Sequence, residues 1–95
     1  MRVQFVARDN GPDRLVCEAE VHFGSESGPF SGMKLVGFSV WRSVEGDLYV
    51  TFPSRASGAG SERRYFDYLR SSEGANEPRK VKDWILGEYR ASQAA

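Results

Sequence analysis

Apolar and polar residues alternate with a period of two through most of the chain, and a helical spacing replaces this only near the C-terminal end. Arg2 to Arg8, with Val3, Phe5 and Val6, predicts a first strand. Asn10-Gly11-Pro12-Asp13 is a turn by composition. From Arg14 to Phe23 the alternation is clean: Leu15, Cys17, Ala19, Val21 and Phe23 share one parity, and Glu18, Glu20 and His22 the other. That pattern describes a half-buried strand with one wet side. Lys34 to Arg42 is apolar on both parities, with Leu35 and Trp41 on one and Val36, Phe38 and Val40 on the other, so it reads as a strand covered on both faces. Val44-Glu45-Gly46-Asp47 forms a tight turn into Leu48, Val50 and Phe52, and Pro53, which has no N–H to give, stops that strand. Arg63 to Leu69 reads as a fifth strand rich in aromatics, with Tyr65, Phe66 and Tyr68.

Three Gly/Ser-rich stretches separate these segments: residues 24–29, 54–61 and 71–76. After the last one, Asn76 suits an N-cap and Pro78 a first helical turn, while Val81, Trp84, Ile85 and Tyr89 form an apolar stripe. The stripe predicts a helix of about a dozen residues. Gly87 costs that helix roughly 1 kcal/mol relative to alanine, which points to close packing at that position. The expected fold is α+β in a single domain over residues 1–95: a small antiparallel sheet of about five strands with one C-terminal helix across a face.

Composition narrows the class. The 95 residues carry 13 Lys+Arg and 13 Asp+Glu, so no strong net charge marks the chain as a nucleic-acid coater or an acidic tail. The 40% hydrophobic content supports a folded core. No apolar run is long enough to span a membrane, and the opening Met1-Arg2-Val3-Gln4-Phe5 lacks the apolar region of a secretory signal. A cytoplasmic location is therefore expected. A chain this short buries little of its surface, which favours oligomerisation. The two-sided strand from Lys34 to Arg42 adds to that expectation, since one short helix cannot cover both of its faces.

Few residues offer chemistry. One cysteine cannot form an internal disulfide, and one histidine cannot complete a Cys/His zinc site. Parity places Cys17 in the core and His22 on the solvent side of the same strand, so the two do not pair as nucleophile and base. Glu18 and Glu20 share a face, but a third metal ligand is missing. Gly58-Ala59-Gly60-Ser61 lacks both the Gly-Lys-Ser/Thr ending and the strand–loop–helix setting of a phosphate loop. The residues predict a protein without enzymatic activity and without a cofactor.

Charge placement says more than charge total. Residues 1–54 hold five basic and seven acidic side chains, while residues 55–95 hold eight basic and six acidic. Arg55 and Arg63 bracket one loop, Arg64 stands next to Tyr65, and Arg79-Lys80-Val81-Lys82 opens the helix. Arginines interleaved with Tyr65 and Tyr68 are the ingredients of phosphate contact and base stacking.

Order and spacing from Lys34 to Tyr89 resemble the SpoVG family, the bacterial stage V sporulation protein G or septation regulators. The residues that carry the resemblance are Leu35-Val36-Gly37-Phe38-Ser39-Val40, Gly46-Asp47-Leu48-Tyr49-Val50, and Phe52-Pro53-Ser54-Arg55, which looks like an apolar-Pro-Ser-basic signature. The basic pair Arg63-Arg64 and the closing stretch from Arg79-Lys80-Val81 to Glu88-Tyr89 complete it. The chain departs from that family at Gly37-Phe38, where a polar His-Asp step is usual, and in its Tyr65-Phe66-Asp67-Tyr68 run. The resemblance implies a strand-mediated homodimer that binds DNA and RNA as a regulator. Carried over by position, it implies contacts from Arg55, from Arg63 or Arg64, and from Lys80. Charge alone adds Arg79 and Lys82, and stacking adds Tyr65. The competing reading is a protein-interaction module anchored on aromatics around Trp41, Tyr65 and Tyr68.

Overall fold

A computed structural model describes residues 1–74 and 76–94. Four antiparallel strands form the main sheet in sequence order: β1 (Arg2–Val6), β2 (Leu15–His22), β3 (Lys34–Arg42) and β4 (Leu48–Thr51). Two further strands, β5 (Ser54–Ser57) and β6 (Arg64–Asp67), pair only with each other. The helix α1 (Glu77–Ala94) follows, and 3-10 turns occupy Ser25–Phe30, with a kink at Gly28, and Gly60–Glu62. The α+β class, the antiparallel sheet and the C-terminal helix are as the alternation predicts. Three details differ, the first being that the aromatic segment expected as the fifth strand of the sheet stays out of it and pairs only with β5. Ser54–Ser57, expected within a loop, is a strand, because it finds a partner in the aromatic segment that follows. The helix runs for 18 residues, longer than its apolar stripe, because good helix formers extend it to Ala94.

The core lies between α1 and one face of the main sheet. Phe38, Val40, Ala19 and Ile85 are completely buried there, with Cys17, Val21, Val50 and Phe52 close behind. Phe38 and Phe52 meet edge to face at 5.4 Å, and Phe5 meets Tyr89 of the helix at 5.3 Å. Lys82 lies over the Phe52 ring near the start of the helix. The helix therefore crosses the sheet from the β4 side at its beginning to β1 near its end. Asn76 supplies the carbonyl that accepts the first helical N–H, from Lys80 at 3.1 Å, which suits its expected capping position.

Two irregularities change the parity that strict alternation assigns. Between Ala19 and Val21 on β2, β3 advances from Phe38 to Leu35, so β3 carries one extra residue there. Leu35 thus joins Phe38 and Val40 against the core, instead of facing the other way with Trp41. Between Leu15 and Cys17 the extra residue is on β2, against Trp41 and Val40 of β3. Val16 consequently packs with the core, and Leu15 lies opposite Trp41 on the far face. β3 is less two-sided than its sequence suggests. Its far face holds Ser39 and Trp41, and Val36 is left 49% exposed at the bulge.

Gly37 makes the β3 bulge possible. Its φ is +104°, a region that side-chain-bearing residues rarely adopt, and a Cβ there would sit 2.9 Å from Pro53 Cβ. Gly87 is the opposite case. It is exposed, and a Cβ there would meet nothing within 4 Å, so close packing does not account for it. Gly87→Ala is expected to stabilise the protein by roughly 0.5–1 kcal/mol through helix propensity. Gly37→Ala is expected to destabilise it by at least about 1 kcal/mol from backbone strain. Urea unfolding of both variants beside the wild type checks the pair of opposite signs.

Candidate functional site

β4 ends where Pro53 interrupts the ladder, and the chain then leaves the main sheet as the β5–β6 hairpin. Tyr68 N–H donates to the Pro53 carbonyl at 2.9 Å and closes the base of this arm, while Leu69 packs back onto the core. Every residue of both arm strands is exposed. An isolated two-stranded ribbon is marginal in water, and this one is helped by its own side chains. Arg55 lies over the Phe66 ring at 5.8 Å, and Arg63 over the Tyr65 ring at 5.5 Å. Exposed pairs of this kind contribute about 0.5–1 kcal/mol each.

The arm register sorts the sequence-predicted residues onto two faces. Arg55 opposes Phe66 and Ser57 opposes Arg64, so Arg55, Phe66 and Arg64 lie together. Ser54 opposes Asp67 and Ala56 opposes Tyr65 on the other face, which Arg63 joins through its stacking on Tyr65. Arg55 and Arg64 thus come together, Arg63 and Tyr65 come together, and the two groups are back to back.

The helix residues are separate from both and less uniform than their spacing suggests. Arg79 and Lys80 are exposed, with Arg79 Nε 3.9 Å from Asp83 one turn on. Lys82 lies 5.3 Å from the centroid of Phe52 and is only half exposed.

The Tyr65 face of the arm continues a wall of the main sheet. Trp41 and Tyr49 are cross-strand partners on the side away from α1, and Ser39 pairs with Thr51 beside them. The Trp41 indole N–H donates to Thr51 Oγ1 at 2.8 Å, which fixes the plane of that ring. Trp41, Tyr49 and Thr51 on the sheet, with Tyr65 and Asp67 on the arm, bound a cleft of about 490 Å³. Sequence reasoning assigns no role to Tyr49 or Asp67. Tyr49 was legible in principle, because its parity is opposite to that of Leu48, Val50 and Phe52. Asp67 depends on the arm's register, which no local pattern specifies.

Neither a family model, nor a curated protein, nor a solved structure matches this chain.

Glu18, Glu20, His22 and Cys17, the other candidates for chemistry, sit in structural surroundings. Glu18 accepts from Arg8 at 2.9 Å and Glu20 from Lys34 at 3.2 Å. The Lys34 ammonium holds the Glu20 carboxyl below its usual range. His22 is half-buried rather than freely solvated, with Nε2 3.4 Å from Glu20 Oε1 and Nδ1 3.5 Å from Arg2. Cys17 pairs with Val40 on the core face, away from His22, and burial pushes its thiol up. No cluster of three His, Cys, Asp or Glu that could hold a metal ion occurs among the described residues. No helix among them is long and apolar enough to cross a membrane.

Because the folded state favours the neutral thiol, its contribution to stability is complete below the thiol's ordinary range. It falls as pH rises through that range toward the raised value. Wild type is expected to lose stability as pH rises above the ordinary thiol range, a loss that Cys17→Ala does not share. Cys17→Ser is expected to cost about 1–3 kcal/mol through an unpaired buried hydroxyl. Denaturant melts at neutral and alkaline pH check both.

Proposed function

We propose that the protein is a non-enzymatic nucleic-acid-binding regulator, cytoplasmic, homodimeric and of the SpoVG type. The observation that carries the reading is the projecting arm. It holds Arg55, Arg63 and Arg64 among aromatics that are left in water, with Tyr65 66% and Tyr68 64% exposed. Contiguous exposed aromatics mark an interaction surface, and interleaved arginines give that surface the chemistry of a phosphate backbone with stackable bases. Arg79 and Lys80 add charge at the beginning of α1. The resemblance of residues 34–89 to the SpoVG family points the same way, because Pro-Ser-Arg55 and the Arg63-Arg64 pair lie on this arm.

A dimer suits this function physically. The chain has no net charge to steer it toward a polyanion, and two copies of the arm would double the local basic patch. β1 and β4 are the edges of the main sheet, available for strand pairing. A second reading, a protein-interaction module, rests on the same exposed aromatics and would use those around Trp41, Tyr65 and Tyr68 as anchors.

Binding measured against salt separates the two. On duplex DNA, each neutralised phosphate contributes roughly 0.9 to the slope of log affinity against log salt. Arg55→Ala and Lys80→Ala are each expected to flatten that slope by about one unit, because one phosphate is no longer neutralised, and by about two where both copies of a dimer engage. Salt-independent behaviour, or no binding to random DNA and RNA pools, would support the protein-interaction reading. Sedimentation at micromolar concentration is expected to show a species of twice 10.6 kDa; a monomer alone would remove the dimer from the account.

A further inference from the structure

We infer that the cleft between the open sheet face and the arm takes the base of a single-stranded nucleic acid, with Trp41, Tyr49 and Tyr65 as stacking walls and Asp67 reading its edge. This rests on the nucleic-acid reading above and adds to it which form of nucleic acid is preferred and where a base goes. The walls come from two different parts of the fold. Trp41 and Tyr49 oppose one another on β3 and β4, and Tyr65 approaches from β6 across a space of about 490 Å³. That space is large enough for a nucleobase. The Trp41 ring is held by its hydrogen bond to Thr51, so little ordering remains to be done when a base arrives.

The polar groups match the parts of a nucleotide in order. Asp67 has no ion-pair partner among the described residues and lies at the cleft wall, where its carboxylate can only accept. A carboxylate pairs best with a base edge that presents adjacent donors, as guanine does with N1–H and its exocyclic amine; adenine and uracil or thymine offer less. Arg63, stacked on the Tyr65 ring, carries a guanidinium to the same face, where the phosphate that follows a stacked base would lie. Asp67 is the charged side chain that lines the cleft, so a base edge rather than a phosphate lies against it. Duplex DNA is a poorer occupant, because its bases are paired and stacked among themselves.

The test uses the full chain in a Trp84→Phe background, which leaves Trp41 as the sole indole, and titrates short single strands of thymidine carrying one central guanosine, adenosine or cytidine. Trp41 fluorescence is expected to quench, and the guanosine strand is expected to bind best. Tyr49→Ala and Tyr65→Ala, both at exposed positions, are expected to weaken single-strand binding by roughly 5- to 150-fold, with the salt slope unchanged. Tyr65→Phe should restore it, and duplex affinity should change little in all three. Asp67→Asn is expected to erase the guanosine preference. Salt-dependent single-strand binding with Trp41 unquenched and both alanine variants equal to the parent would overturn the cleft while leaving the regulator reading in place. Absence of any nucleic-acid binding by the parent protein would overturn both.

Discussion

The contact between Gly37 and Pro53 is the constraint on which the rest of the molecule depends. Pro53 is buried against the one β3 residue that has no side chain, and Gly37 reaches that position only by adopting a φ of +104°. Two consequences follow from this single approach of backbone to ring. The bulge it requires brings Leu35 and Phe38 onto the same side of β3, which completes the core beneath α1. The proline also ends the main ladder, because it cannot donate a strand hydrogen bond. The chain after it can no longer extend the sheet and folds back on itself as the arm.

The arm inherits its exposure from that departure. Its four cross-strand pairs have no second layer above or below them, so their side chains are left to solvent and to one another. Arginine over aromatic is the arrangement that makes this tolerable, since the guanidinium covers part of each ring without burying its charge. The same arrangement is suited to a polyanion carrying flat bases. Stability and the proposed function therefore use the same residues on the arm. Arg55, Arg63 and Arg64 thus stand on the arm beside its aromatics, together with the carboxylates of Glu62 and Asp67. Glu18 and Glu20, which hold back Arg8 and Lys34, lie on β2 in the main sheet and not on the arm.

Most of the fold was legible because alternation and helical spacing are strong local signals. The strands β1 to β4, the turn before Leu48, the stop at Pro53 and the helix stripe all follow from them. Local signals failed where a long-range contact decides. Gly37 breaks the alternation of β3, yet nothing in its neighbourhood announces Pro53 as the reason. Val16 and Leu15 exchange places relative to strict parity for the same kind of cause, a bulge set by pairing with β3. Ser54-Arg55-Ala56-Ser57 has the composition of a loop and is a strand only because Tyr65 and Phe66 pair with it. The candidate site was legible as a set of basic residues, but not as two faces. Only the register separates Arg55 and Arg64 from Arg63 and Tyr65, and only the position of the arm brings Trp41 and Tyr49 toward Tyr65.

The central claim is that the arm aimed by Pro53 is the surface through which the protein meets nucleic acid. Backbone and indole N–H resonances of isotopically labelled protein, followed while a single-stranded oligonucleotide is added, test it most directly. The account predicts that the shifts concentrate in residues 54–67 and at the Trp41 indole, with Trp84 unmoved. Shifts confined to the Arg2, Glu20 and His22 face, or to the middle of α1, would contradict it.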